Sequence, residues 1–365
     1  MRVVIVGAGI GGLALACGLT RDGHQVRVLE KADGLRLDGA AVTIFSNGAA
    51  AADGLGVPLD GLGGRVETLS FGTPDGREFA RADLRELHRR TGYAVATVPR
   101  RAILERFADA LPAGTIAFGR EVTDVETPAA DAPAADVVVG ADGHRSAVRR
   151  AVLGDEPAAP NGWTSWQGLT KDVADLGTHA RCLIGPQGLC GLMPAGDGLL
   201  QWWFDVGTDR PEAGGTVGWL RDRFRGYADP VPDLLDHLTE ADVQEYRHVT
   251  HRVLDRWGTG STTLLGDAAH AFPPSQAQGA NQALEDAWLL RRALAAGPGN
   301  LRSYERIRAR RVRRISRLAT SEVTNRPPST AARLAGRLLT PRLLARLQLA
   351  AIRRASSVLN DDRPE

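Results

Sequence analysis

The chain has 365 residues, 43% of them apolar, with 45 basic against 43 acidic side chains and a formal net charge of +2. That length accommodates two or three domains or one large α/β domain with an insertion, and the apolar share excludes wholesale disorder. A near-neutral balance, with no basic run interleaved with aromatics, argues against a nucleic-acid binder, and no stretch reaches the twenty apolar residues of a membrane span.

Three cysteines, Cys17, Cys182 and Cys190, form no CxxC pair. They read as reduced thiols in a cytoplasmic protein, with Cys17 a small core residue. The opening MRVVIVGAGIGG has none of the features of a secretory signal. Only Lys31 and Lys171 are lysine, a bias that points to a GC-rich genome rather than to chemistry.

In chain order, residues 3–6 are a short β-branched run suited to a strand buried on both faces. A glycine turn, a helical pattern over 13–21 and a second strand over 25–30 complete a β-α-β unit. Residues 65–98 read as strands with a turn at Thr73-Pro74-Asp75-Gly76, residues 101–111 as a helix, and 136–140 (DVVVG) as a buried strand. The Ala/Pro/Asp stretch at 127–136 reads as a surface loop. From 163 to about 253 the pattern is strand-rich and carries most of the tryptophans. A third buried strand spans 262–265, a long helix 279–294, and the rest is helical and rich in arginine. The expected fold is α/β: a discontinuous Rossmann-like domain (1–64, 97–158 and 255–297), a mostly antiparallel sheet domain (65–96 and 159–254) and a C-terminal helical region (298–365).

The first motif is Gly7-Ala8-Gly9-Ile10-Gly11-Gly12. Gly7 permits a tight turn, Gly9 lets a pyrophosphate approach the backbone, and Gly12 lets the helix pack on its strand. The free N–H groups of the helix then meet the phosphates. Glu30, ending the second strand, is placed to accept hydrogen bonds from a ribose 2′-OH. Together these give a dinucleotide site without choosing the dinucleotide.

Two further motifs make that choice. Gly140-Ala141-Asp142-Gly143, followed by Ser146 and Arg149, resembles the Asp-Gly motif of the aromatic hydroxylase flavoproteins. Gly266-Asp267-Ala268-Ala269-His270, then Pro273-Pro274 and Gln278-Gly279-Ala280-Asn281, resembles that family's second flavin motif. The chain is thus similar, from residue 3 to about 295, to the group A single-component flavoprotein monooxygenases with the para-hydroxybenzoate hydroxylase fold. The resemblance implies FAD as cofactor and NADH or NADPH as transient donor. It implies O2 and a small electron-rich organic substrate, hydroxylated or epoxidised through a flavin C4a-hydroperoxide, and a monomer or homodimer.

Chemistry gives each motif a purpose. Asp267, just after a buried strand, can accept hydrogen bonds from ribityl hydroxyls that would otherwise leave it a costly unpartnered acid. Gly279, Ala280 and Asn281 open a helix whose N–H groups and dipole stabilise charge on the flavin N1/O2 edge. By resemblance, Arg101 reaches the FAD, with Arg100 as its alternative. Lys31 flanks the adenosine, Val122 lies on a strand that presents backbone to the adenine, and Arg36 and Val42 face the flavin. The Pro274 carbonyl approaches substrate and flavin, and Asp142 lies near the pyrophosphate. His270 invites a base role, but the resemblance favours a structural one. Ala277 stands where relatives often carry glycine. No metal site is expected.

Substrate candidates are Trp166, Gln167, Met193, Trp202, Phe204 and Phe272, with core packing an equal alternative for each. Strand alternation sends Trp166 and Gln167 to opposite faces. The leucines and arginines after residue 330 are compatible with a membrane-surface helix, but a helical layer packed on the flavin domain is the preferred reading. A flavin reductase or dehydrogenase, a halogenase lacking its Trp-x-Trp-x-Ile-Pro signature, and a non-catalytic flavin binder remain alternatives.

Overall fold

Residues 1–123, 135–154, 156–207 and 215–364 are described by the computed structural model. The loop expected at 127–136 falls almost wholly outside them.

The β-branched runs do assemble into one buried parallel sheet. Its strand order is Thr262–Leu264, Val137–Gly140, Arg2–Val6, Gln25–Leu29 and Ile116–Ala117. Val3, Ile5, Val137 and Val139 are at most 1% exposed, as strands covered on both faces require. The helix Ile10–Arg21 covers this sheet beside the helix Gly279–Ala295. Sterics dictate the glycines of the intervening turn. Gly7 has φ +106°, and a Cβ there would lie 2.5 Å from the Ala141 carbonyl oxygen; a Cβ on Gly12 would lie 2.2 Å from the Gly7 carbonyl oxygen.

A seven-stranded sheet forms the second body, in the order Gln244–Thr250, Ala159–Lys171, Leu199–Gly207, Gly188–Pro194, His179–Gly185, Thr68–Gly72 and Glu78–Asp83. Its pairs are antiparallel except that His179–Gly185 runs parallel to Thr68–Gly72. A separate three-stranded sheet joins Ala41–Ile44, Ala96–Pro99 and Gly64–Arg65. The strand expected near residue 98 therefore pairs with residues 41–44, and a short helix, Arg85–Thr91, interrupts the strand-rich stretch. Two helices missed by the period-2 reading, Thr216–Phe224 and Val231–His237, pack on one face of the large sheet.

Register decides which aromatics they cover. Trp166 lies opposite Phe204, and Trp202 opposite Leu192. Trp166, Trp202 and Phe204 are at most 2% exposed and pack with Leu220, Phe224, Leu234 and Leu235. The Phe204 and Phe224 ring centroids are 4.6 Å apart. Burying side chains of this size stabilises the fold by roughly 2–3 kcal/mol each. These three candidates for substrate contact are core residues.

The C-terminal helices divide. Leu301–Thr320 packs on Gly279–Ala295, whereas Thr330–Leu338 and Pro341–Ala355 lie against the edge strand Glu78–Asp83 of the large sheet. Arg346, Arg90 and Arg89 converge on the Glu86 carboxylate, each at 2.7 Å, and hold its pKa down to about 2. The helical layer expected on the flavin domain is thus only partly there, because an acidic edge draws the last two helices to the other sheet.

Candidate active site

A cavity of about 460 Å³ lies where the glycine turn, the start of the Gly279–Ala295 helix and the free face of the large sheet meet. Gly9, Ile10, Gly11 and Gly12 line one part of it, and Asp267, Pro274, Gly279 and Ala280 another. Gln167, Met193, Gln201 and Trp203 line it from the sheet, with Phe272 and Tyr246 alongside. Val42, from the strand Ala41–Ile44, and Arg100, at the start of the helix Arg100–Asp109, line it beside Asp267 rather than from the large sheet. Both helices begin without a side-chain cap, at Gly9 and Gln278, so their first N–H groups remain available to a ligand.

Asp267 is partly buried, and its carboxylate has no hydrogen-bond partner among the described residues. Burial raises its pKa, against the opposing pull of His270, His144 and Arg100. An acid left so exposed to its own desolvation fits a ligand that brings hydroxyl groups. Gly9 and Gly279 have open space where a Cβ would be, which leaves the backbone approachable. The residues present therefore fit FAD: the glycine turn would take the pyrophosphate, Asp267 the ribityl hydroxyls, and the N-terminus of the Gly279 helix the ring edge.

Several expected contacts are placed differently. Arg101 is exposed, while Arg100, one residue earlier and about 100° around the helix, lines the cavity. Burial draws the Arg100 pKa down, against the opposing pull of the Asp267 charge. Asp142 caps the helix Ala147–Leu153: it accepts from Ser146 Oγ at 2.5 Å and from the Ala147 N–H at 2.7 Å. Arg149 of that helix donates to the Ala268 and Ala269 carbonyls at 3.1 and 3.0 Å. The Asp-Gly motif thus braces the segment that carries Asp267.

The Asn281 side chain is fully buried and ties together Phe45 N–H, the Thr43 carbonyl and the Ala277 carbonyl at 2.8–2.9 Å. Only its backbone can serve a ligand. Glu30 accepts from the Ala8 and Ala32 N–H groups at 2.9 and 3.0 Å, so it also pins the glycine turn. Lys31 and Arg36 are exposed and outside the cavity wall, and Val122 packs in the core beyond any strand.

His270 is 1% exposed, stacked on Phe272 with the Trp257 ring tilted against it, and its Nε2 lies 2.6 Å from Asp286. It does not line the cavity. Ala277 sits at φ +48°, a left-handed conformation that costs an alanine about 1 kcal/mol more than a glycine.

Two features escaped the sequence reading. Gln201 lines the cavity at 7% exposure, and its Oε1 has no hydrogen-bond partner among the described residues. The signal was present: Leu200, Trp202, Phe204 and Val206 form one apolar phase, which hands Gln201 and Trp203 to the other face. The second feature is a buried chain of polar groups. His248 Nε2 is 2.8 Å from Ser165 Oγ, its Nδ1 is 2.7 Å from Glu322, and Ser165 also bonds Asp205. Asn325, in the cavity wall, donates to Glu322 at 2.9 Å. No sequence pattern joins positions 165, 205, 248 and 322.

Comparison with known proteins settles the group. The FAD binding domain family matches residues 1–319. The chain belongs to that family. This flavoprotein is 33% identical over 344 residues to the 3-amino-4-hydroxybenzoate 2-monooxygenase of Streptomyces cremeus, covering 87% of this chain and 86% of that one. It is 30% identical to an FAD-dependent urate hydroxylase of Mycolicibacterium vanbaalenii, with 85% of each chain covered. Its fold superposes on Klebsiella pneumoniae HpxO complexed with FAD and uric acid at TM-score 0.87 and 27% identity, over 97% of both chains. With FAD as its cofactor, the flavoprotein is an FAD-dependent monooxygenase.

Proposed function

We propose that the flavoprotein uses NADH or NADPH and O2 to hydroxylate or epoxidise a small, uncharged aromatic or otherwise electron-rich molecule seated on the large sheet. One observation carries this reading: the glycine turn, Asp267 and the start of the Gly279–Ala295 helix line one cavity together with the free sheet face. Bound there, FAD supplies the redox chemistry, accepting reducing equivalents from the nicotinamide and activating oxygen.

The protein's own residues position and protect. Asp267 and the glycine turn hold the cofactor. The N–H groups of Gly279 and Ala280 offset negative charge at the ring edge. Leu69, Phe71, Leu189, Met193 and Trp203 make the opposite wall apolar and exclude water that would divert the reaction. The described charged residues of the lining, Arg100 and Asp267, lie on the cofactor side. This supports an uncharged substrate whose N–H or O–H donates to Gln201 Oε1.

Gln201→Leu removes that acceptor. The expected result is a KM raised about tenfold with FAD occupancy unchanged, since one buried hydrogen bond contributes about 1–1.5 kcal/mol. Equal KM values for variant and wild type over a panel of aromatic substrates would reject the contact. The reaction itself is tested by substrate-stimulated NAD(P)H oxidation with matching oxygen uptake and an oxygenated product. Reduction without oxygen uptake would mark a dehydrogenase instead. The three buried free thiols suit a reducing compartment, and we assign the cytoplasm, with a monomer or homodimer as the working unit.

A further inference from the structure

We propose that the last helices of this chain dock it onto an anionic lipid bilayer. Of the seven large apolar side chains exposed among the described residues, six lie between Leu318 and Leu347. Leu334 and Leu338 are 59% and 77% exposed and sit one helical turn apart on Thr330–Leu338, a helix with no buried residue. Leu343 and Leu347, 43% and 52% exposed, repeat that spacing on Pro341–Ala355. The inner sides of both helices are occupied: Gly336 rests on the Phe79 carbonyl, and Ala345, Leu349 and Ile352 are buried. The leucines are therefore surplus to the fold.

Charge identifies the occupant. Residues 323–360 contain seven arginines and no lysine, aspartate or glutamate, in a chain whose totals nearly cancel. Among the described residues, only Arg342 and Arg346 of the seven meet a carboxylate, at Asp83 and Glu86. A second copy related by a two-fold axis would set the same arginines against each other. A nucleic acid would leave the leucines in water. An anionic bilayer takes both, with headgroups meeting arginine and the upper acyl region meeting leucine. Among the described residues no helix is long and apolar enough to cross a membrane, so the proposed contact is a surface one. Thr324, Asn325 and Gln348 of the same stretch line the cavity, so the docking ridge borders the substrate site.

The test is co-sedimentation of the full-length FAD-loaded protein with phosphatidylcholine vesicles, with and without phosphatidylglycerol. Binding is expected only with phosphatidylglycerol, and weaker by about tenfold or more in high salt. The double variant Leu334→Glu/Leu338→Glu should lose about tenfold or more of that binding while remaining yellow, which shows that it has folded. Equal binding to both vesicles, binding to neither, or an unaffected double variant overturns the proposal. So does a concentration-dependent dimer abolished by the double variant, which would assign this face to self-association.

Discussion

Asp267→Asn protein is expected to purify with roughly a tenth or less of the wild-type FAD, yet its apoprotein should melt no lower than wild-type apoprotein. The two effects have opposite sign because the carboxylate has opposite consequences in the two states. Without cofactor it is a partly buried acid with no hydrogen-bond partner among the described residues and a pKa raised by burial, and removing its charge relieves that penalty. With cofactor it becomes a charged acceptor for ligand hydroxyls, each such bond contributing about 1.5–3 kcal/mol. Flavin absorbance against protein, together with melting of the stripped proteins, reads both quantities. A variant that holds FAD as well as wild type would refute the role of Asp267. One whose apoprotein melts well below wild type would show that the carboxylate also supports the fold.

The largest loss of stability is expected at a residue that never touches the cavity. Arg308 is fully buried. Its Nε donates to Asp286 at 2.6 Å, its Nη2 to the Gln282 side chain at 2.7 Å, and its Nη1 lies 3.5 Å from Glu285. Burial pushes the Glu285 pKa up; Asp286 stays low because His270 and Arg308 together outweigh its burial. Asp286 also receives the Gly266 N–H at 2.7 Å, so one acid joins the Asp267 segment, the helix Gly279–Ala295 and the C-terminal region. Arg308→Met leaves two buried carboxylates without their cation, at an expected cost of about 3–5 kcal/mol in urea unfolding. Adding Glu285→Gln and Asp286→Asn to Arg308→Met should recover part of that loss. A single variant within about 1 kcal/mol of wild type would show that the network contributes little.

Sign also matters for titration at His251. It is 3% exposed and bonds the His144 carbonyl at 3.0 Å; burial, first, and then Arg149 lower its pKa to about 4. The folded state therefore takes up its proton less readily than the unfolded chain. Its contribution to stability is complete above the ordinary histidine value and is lost as pH falls from about 6.5 towards 4.

What the chain's letters determined by themselves is the set of local, backbone-dominated features. A glycine with positive φ, a turn closing on a strand, an acid directly after a buried run and a helix opening on Gly279 are each specified within a few residues. Their steric and hydrogen-bonding demands do not depend on distant partners, and three such motifs in order identify a flavin fold. The direction in which side chains point was decided by tertiary structure. Alternation makes Trp166 and Gln167 point oppositely, but only the helices Thr216–Phe224 and Val231–His237 decide that the tryptophan side is core and the glutamine side is cavity. A 100° step along one helix puts Arg100 inside and Arg101 outside. Asn281 became a structural clamp because Phe45, 236 residues earlier, was brought within reach. Burial of an ionisable group is a property of everything packed around it, and no window of sequence contains that information.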